Sequence, residues 1–380
     1  MNAATSNEIT LGDPAPWFRG QYISGELFDF HVYAGRWLVL SFLGSLAEPQ
    51  AQNKLAALLS YAPLFSEDHL VIHGVLAASP GDAILAQLQA ASNPALKFVA
   101  DYDGVLSKLY GTQGAPRTIV LDPMLRVIAN IAWDNPDGHD RMLDGLLGGL
   151  PSVDDSAGVP LTAPALIVPR VFDFPLCELL IGLYDKIGGE DSGFMEDHGG
   201  KTVTMINHRK KRRNDMIIAL PELREKIRER VVTRLLPAVE LFFQFHATRM
   251  DRYIVSCYDS ATGGHFRRHR DNLNAGAEHR RFAVSMNLNG DYDGCDLMFP
   301  EFGRKTYRAP RGGAIVFSCG ALHEVTPITR GKRYAFLPFL YGEADAARRM
   351  ANNARLHDGE NQYKGDRDQL YPEILSNHPD

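Results

Sequence analysis

No stretch of the 380-residue chain approaches the roughly 18–20 unbroken apolar residues that a membrane-spanning helix requires, so no such span is expected. The opening residues, MNAATSNEITLGDPAPWF, lack the basic-then-apolar order of a secretory leader. Cysteine is scarce. Cys177, Cys257, Cys295 and Cys319 are too few and too scattered for a disulfide framework, and no CxxC occurs, so a reducing cytoplasm is the expected compartment. Positive charge is not in excess either: 40 Lys and Arg against 46 Asp and Glu leave a net charge of −6. That balance argues against a chain whose main business is neutralising nucleic-acid phosphate. No internal repeat is present. What remains is ordinary globular composition, 45% hydrophobic and 23% charged. Because single cores stop growing near ~250–300 residues, two domains are expected.

Residues 1–150 form the first expected domain, with an α/β pattern from residue 12. Trp37–Leu43 and Leu70–Ala77 are apolar runs of strand length, and Thr118–Leu121 is a shorter one. Between them Gln50–Leu59 and Asp82–Ser92 carry helix formers, so strands alternate with helices around a parallel or mixed sheet. Residues 151–163 are small, polar and proline-bearing, which suits a linker. The second domain, 164–345, has helical patterns at Asp173–Lys186 and Glu222–Phe245. Short β-rich runs follow at Arg281–Leu288, Ala314–Ser318 and Tyr334–Tyr341, separated by turn residues. They predict a sandwich or barrel with helices outside. Residues 346–380 are a polar tail that begins as a surface helix.

The first domain resembles the thioredoxin-like fold, and within it the peroxiredoxins. The residues that carry this are Gly12-Asp13-Pro14-Ala15-Pro16, Phe98–Asp101 before Gly104-Val105-Leu106, and Ala115-Pro116-Arg117-Thr118. The resemblance implies a cis peptide before Pro116. A peroxiredoxin also needs a low-pKa thiolate at a helix N-terminus, and the matching stretch, Gly44-Ser45-Leu46-Ala47-Glu48-Pro49, holds no cysteine. Peroxidase action is therefore not expected. The roles left are packing against the second domain, mediating a homodimer, or presenting a substrate or partner.

The informative residues lie between 265 and 333. His269-Arg270-Asp271 puts an imidazole and a carboxylate on one face of an extended backbone. Alone, HxD is weak, since an isolated histidine is more often core or surface than ligand. About fifty residues on comes His323, and ten after it Arg333, across a turn marked by Pro327 and Gly331. Two imidazoles and one carboxylate make the facial triad of non-haem iron(II) sites, with positions left open for oxygen and substrate. A guanidinium is the best bidentate clamp for a carboxylate, so Arg333 suits a co-substrate with a distal carboxylate. Arg330 and Lys332 read as exposed strand cations.

In this order the segments resemble the iron(II)/2-oxoglutarate dioxygenases of the prolyl 4-hydroxylase-like group over about 164–342. The match runs through Arg252–Tyr258, Gly263–Phe266 and His269–Asn272, then Arg280–Asn289 and Tyr292–Pro300. It ends with Pro310–Phe317, His323-Glu324-Val325 and Arg333-Tyr334. The resemblance implies a double-stranded β-helix (jelly-roll or cupin-like) domain of α+β class following the α/β thioredoxin-like one. It implies Fe(II) on His269, Asp271 and His323, Arg333 on the C5 carboxylate of 2-oxoglutarate, and Tyr258 as a further contact to that co-substrate. Oxygen would be the other co-substrate, L-ascorbate a candidate reductant, and a protein side chain (prolyl or other) or a small molecule the hydroxylated substrate. With Asp271 present, no ligand position stays vacant for a halide. Asn287 stands where many relatives carry an aromatic, so the co-substrate pocket is expected to be wired differently. Cys295 replaces a glycine and reads as structural. The basic run His208–Arg213 (HRKKRR) reads as a solvated loop, or as a lining of the active-site mouth that would suit an acidic substrate. Two rivals stay open: a redox protein working through the first domain, and an iron/2-oxoglutarate sensor that binds partners without turnover.

Overall fold

Apolar sequence becomes buried strand in the first part of the chain. In the computed structural model, which describes residues 9–113, 115–198, 201–356, 363 and 368–371, strand Trp37–Gly44 is buried at every position up to Leu43. Strands covered on both faces read as continuous apolar runs rather than alternating ones. Trp37–Gly44 pairs in parallel with Leu70–Leu76, which pairs in parallel with Leu96–Ala100. Its other edge pairs antiparallel with Arg117–Leu121, which turns back into Val127–Ala132. Helices Pro49–Ser60, Asp82–Ala91 and Pro136–Gly148 contribute Leu58, Leu88 and Leu143 to a core shared with Trp37, Ile72 and Phe98. The order and directions of these strands are those of a thioredoxin-like sheet.

One expectation fails here. No cis peptide is found among the described residues, so the bond before Pro116 is trans. The trans form is the lower-energy isomer, and the Pro116 carbonyl accepts a hydrogen bond from the Trp133 amide as the chain enters the ladder. Residues 151–155 also pack. Val153 is buried in the same core, and Trp37 Nε1 donates to the Pro151 carbonyl at 2.9 Å.

The chain divides into two compact units, one reaching Ala163 and taking in Pro300–Arg304, the other built from Pro164–Phe299 and the chain from Lys305 on. The second unit holds two antiparallel sheets of a jelly roll. The larger runs in the order Arg249–Asp251, Phe339–Tyr341, Phe282–Asn287, Lys332–Phe336, Ile254–Asp259, Asn214–Ile217, Glu190–Asp191. Ala314–Ser318 also pairs with Phe282–Asn287, and Ala165–Val168 extends that edge. The smaller sheet runs Lys211–Arg212, His265–His269, His323–Val325, Leu297–Met298, Thr306–Tyr307. Helices Phe174–Ile187, Pro221–Arg234 and Leu236–Phe243 pack Leu180, Ile227 and Val239 into a core with Val284, Val316 and Phe336 of the larger sheet.

Proline divides two elements that read as continuous in sequence. The pattern at 222–245 is two helices, because Pro237 has no N–H to donate and crowds the preceding turn. The run 334–341 is two strands, Lys332–Phe336 and Phe339–Tyr341, separated at Pro338. In the polar segment from 346, helix Glu343–Asn352 is followed by a piece around Leu370, which is buried in the second core. The rest of that segment (357–362, 364–367 and 372–380) lies outside the described residues, as do 1–8. Among the described residues no helix is long and apolar enough to cross a membrane.

Candidate metal centre

His269 ends strand His265–His269 and His323 begins strand His323–Val325, and the two residues face each other directly across the ladder of the smaller sheet. Asp271 follows two residues after His269, its amide held by the Cys319 carbonyl at 2.9 Å. The ligand atoms of His269, Asp271 and His323 all lie within 4.8 Å of one another. His269 Nε2 is 3.5 Å from Asp271 Oδ1, and His323 Nε2 is 3.4 Å from Asp271 Oδ2.

The other nitrogen of each imidazole is already committed. His269 Nδ1 lies 2.7 Å from the Arg267 carbonyl and His323 Nδ1 3.1 Å from that of Ala321. A carbonyl only accepts, so Nδ1 donates in both rings, and Nε2 of each ring is the nitrogen nearest the Asp271 carboxylate. Burial, reinforced by the neighbouring His269, pushes His323 down to about 4. It is therefore neutral at pH 7, as a metal ligand must be. Burial alone would raise Asp271, but the cationic forms of His323 and His269, with the Arg280 guanidinium, outweigh it and hold the carboxyl well below the ordinary carboxylate range. Two imidazole nitrogens and one carboxylate are the donor set that suits iron(II). Aromatic rings surround the set: Phe266 stacks on His269 with centroids 3.5 Å apart, and Phe317 of the larger sheet lies 4.7 Å from His323.

Arg333 and Tyr258 come from the larger sheet, where they are cross-strand partners. Arg333 is 3% exposed. Its Nε donates to Asn287 Oδ1 at 2.9 Å, Nη2 to Ser285 Oγ at 2.7 Å and Nη1 to the Cys295 carbonyl at 3.2 Å. A fourth, longer contact runs from Nη1 to Cys295 Sγ at 3.9 Å, and none of the partners is a carboxylate. Asn287 is spoken for on both sides, since its Nδ2 donates to the Ala309 carbonyl at 2.7 Å. Cys295 has the left-handed backbone that favours glycine, with φ 58°, and its carbonyl accepts from Arg333. Lys332 and Arg330 are exposed, as expected.

Residues 253–341 match the family model described as "2OG-Fe(II) oxygenase superfamily". This segment is a 2OG-Fe(II) oxygenase domain. The chain is 34% identical over 91 residues to the PKHD-type hydroxylase PiuC of Pseudomonas aeruginosa, a match over 22% of this chain and 39% of that one. It thus spans from about a fifth to two-fifths of the curated relatives it matches. Among solved structures, a Pseudomonas putida prolyl-4-hydroxylase is similar over 50% of this chain and 96% of that one, at 17% identity and a TM-score of 0.36. A putative thiol:disulfide interchange protein DsbE from Chlorobium tepidum is similar over 37% and 97%, at 20% identity and a TM-score of 0.30.

Beside the oxygenase domain's triad the structure corrects one reading. The basic run at 208–213 is not simply a solvated loop: Lys211 and Arg213 are 3% and 5% exposed, while Arg212 between them is exposed. Alternation of this kind is the mark of a strand, and Lys211–Arg212 pairs with Phe266 and His265 of the triad's own strand. No period of two was visible in the sequence, because residues 209–213 are cationic at every position and only folding separates buried from exposed. Ser192, Ser285 and Asp215 were likewise not singled out by sequence, because nothing local marks a buried serine or aspartate.

Proposed function

We propose that the second unit is an Fe(II)- and 2-oxoglutarate-dependent dioxygenase that hydroxylates a C–H bond, with succinate and carbon dioxide as co-products. Its substrate would be a protein side chain of the prolyl type or a small molecule. The observation that carries this is the convergence of His269, Asp271 and His323, with both Nε2 atoms within 3.5 Å of one carboxylate and both Nδ1 atoms held by carbonyls. When bound, iron and the 2-oxo acid would supply the oxidising chemistry that places an oxygen atom on the substrate.

The chain's own part is to bind, orient and keep water out. His269 and His323 would hold the ion through Nε2, their rings locked by the Arg267 and Ala321 carbonyls, and Asp271 would add the anionic oxygen. Arg333 would grip the distal carboxylate of 2-oxoglutarate with the part of its guanidinium that Ser285, Asn287 and Cys295 leave over. Tyr258, whose ring lies 5.6 Å from the Arg333 guanidinium, would add a hydroxyl to the same co-substrate. Phe266 and Phe317 would shield the centre from solvent.

The experiment is direct. Purified protein given Fe(II), 2-oxoglutarate and ascorbate should form succinate without an added substrate, and His269→Ala should abolish it. Succinate from His269→Ala at the wild-type rate would end this reading.

A further inference from the structure

We propose that Lys211 and Arg213 form an anion site beside the metal centre that receives a carboxylate of the primary substrate. The inference rests on the dioxygenase reading and adds to it the chemical class of what is hydroxylated.

The two cationic heads are neighbours. Lys211 Nζ and Arg213 Nη2 both donate to Ser192 Oγ, at 2.7 and 3.2 Å. Lys211 Nζ also donates to the Gly193 carbonyl at 2.6 Å, which leaves one of its three N–H bonds without an acceptor among the described residues. Arg213 Nη2 reaches Asp215 Oδ2 at 2.7 Å and Nη1 reaches the Tyr258 hydroxyl at 3.3 Å, but its buried Nε has no partner among the described residues. Asp215 is also shared with Arg252, 3.4 Å away. Among the described residues, Arg213 and Arg252 therefore share one carboxylate, and Lys211 has none within ion-pair distance.

Position ties this surplus to the site. Lys211 Nζ lies 5.0 Å from the Phe266 ring, and Phe266 stacks on His269. Arg213 holds Tyr258, the cross-strand partner of Arg333. The pair thus borders the metal triad at one end and the Arg333 pocket at the other. Bound 2-oxoglutarate would bring two carboxylates, one for the metal and one for Arg333, and so would not neutralise Lys211 and Arg213.

Burying like charges together is costly unless an anion compensates them. Burial, with Arg213 next in weight, pushes the Lys211 ammonium well below its ordinary value, a penalty that an arriving carboxylate would reverse. A flat two-oxygen anion also suits the donors left over, the third N–H of Lys211 and the Nε–H of Arg213.

The test uses the full chain loaded anaerobically with Fe(II) and 2-oxoglutarate, followed by the visible charge-transfer absorption of the iron–2-oxo acid chelate. Two matched pairs are titrated, L-proline against L-prolinamide and acetyl-Glu-Pro-Ala-amide against acetyl-Gln-Pro-Ala-amide, with inorganic phosphate alongside. In at least one pair the acid should perturb the band at about tenfold lower concentration than its amide. The responding pair tells whether the carboxylate comes from a free acid or a peptide side chain. Lys211→Met should erase that gap and Lys211→Arg should keep it. The proposal is overturned if neither pair shows a gap, if phosphate outcompetes every acid, or if Lys211→Met keeps the gap. It is overturned too if Lys211→Met instead raises the half-saturation for 2-oxoglutarate about tenfold. Failure of the wild-type protein to form the band at all would strike the dioxygenase reading instead.

Discussion

Arg333 lies directly opposite Tyr258 across the strand ladder, its guanidinium 5.6 Å from the phenol ring, buried and with no carboxylate among its partners. A buried cation held by an amide, a hydroxyl, a carbonyl and a thiol, all uncharged, is prepared for an anion that arrives from outside. Arg333→Ala should lower kcat/KM for 2-oxoglutarate by roughly 10²-fold, since hydrogen bonds to charged groups are worth about 1.5–3 kcal/mol each. Initial rates of succinate formation against 2-oxoglutarate concentration measure this. An unchanged kcat/KM would remove Arg333 from the site.

Asn287 should act through Arg333. Asn287→Ala leaves Arg333 Nε without its 2.9 Å acceptor and frees the side chain to swing. The expected result is a rise of about tenfold in KM for 2-oxoglutarate with little change in kcat, the size of one lost buried hydrogen bond. A fall in kcat at constant KM would mean that Asn287 works elsewhere.

How far the chain could be read before its structure follows from where each signal lives. Strands Trp37–Gly44 and Leu70–Leu76 were legible because burial on both faces leaves an unbroken apolar run. The convergence of His269, Asp271 and His323 was legible because order and spacing along the chain survive folding. The break at Pro237 was readable in principle and missed, since the charged helix formers before it run straight into an apolar stretch after it. Lys211 and Arg213 were not legible: basic residues signal solvent, and only Ser192, Asp215 and Tyr258, brought from other strands, make their burial possible. The trans peptide at Pro116 shows the opposite limit, where a fold's habit does not bind one of its members.

His73 makes the first unit sensitive to acid. It is fully buried among Tyr22, Phe28 and Tyr33, and neither ring nitrogen has a hydrogen-bond partner among the described residues. Burial first, then Arg36 and Lys97, push it down to about 3. The unfolded chain, with an ordinary histidine, takes up this proton at higher pH than the native one does. The stability is therefore complete above about pH 6.5 and is lost as pH falls from there towards 3, on the order of 2 kcal/mol by pH 5. His73→Phe should shrink the drop in urea midpoint between pH 7 and pH 5. An equal drop in both proteins would show that other groups set the acid response.

The thiols should be inert. All four cysteines are buried and free, and burial pushes Cys177 up to about 11 and Cys257 up to about 12, away from the thiolate that peroxide reduction needs. Iodoacetamide at pH 8 should label the protein only after denaturant is added, and hydrogen peroxide consumption should be indistinguishable from buffer. Fast labelling of the native protein with peroxide turnover that survives iron chelation would favour the redox alternative.

The central claim is that one divalent ion sits between His269, Asp271 and His323, and counting bound metal addresses it most directly. Anaerobic equilibrium dialysis against Fe(II), repeated with redox-silent Mn(II), should give one ion per chain for the wild-type protein and none at the same free concentration for Asp271→Ala or His323→Ala. One ion retained by both variants, or none in the wild type, would contradict it.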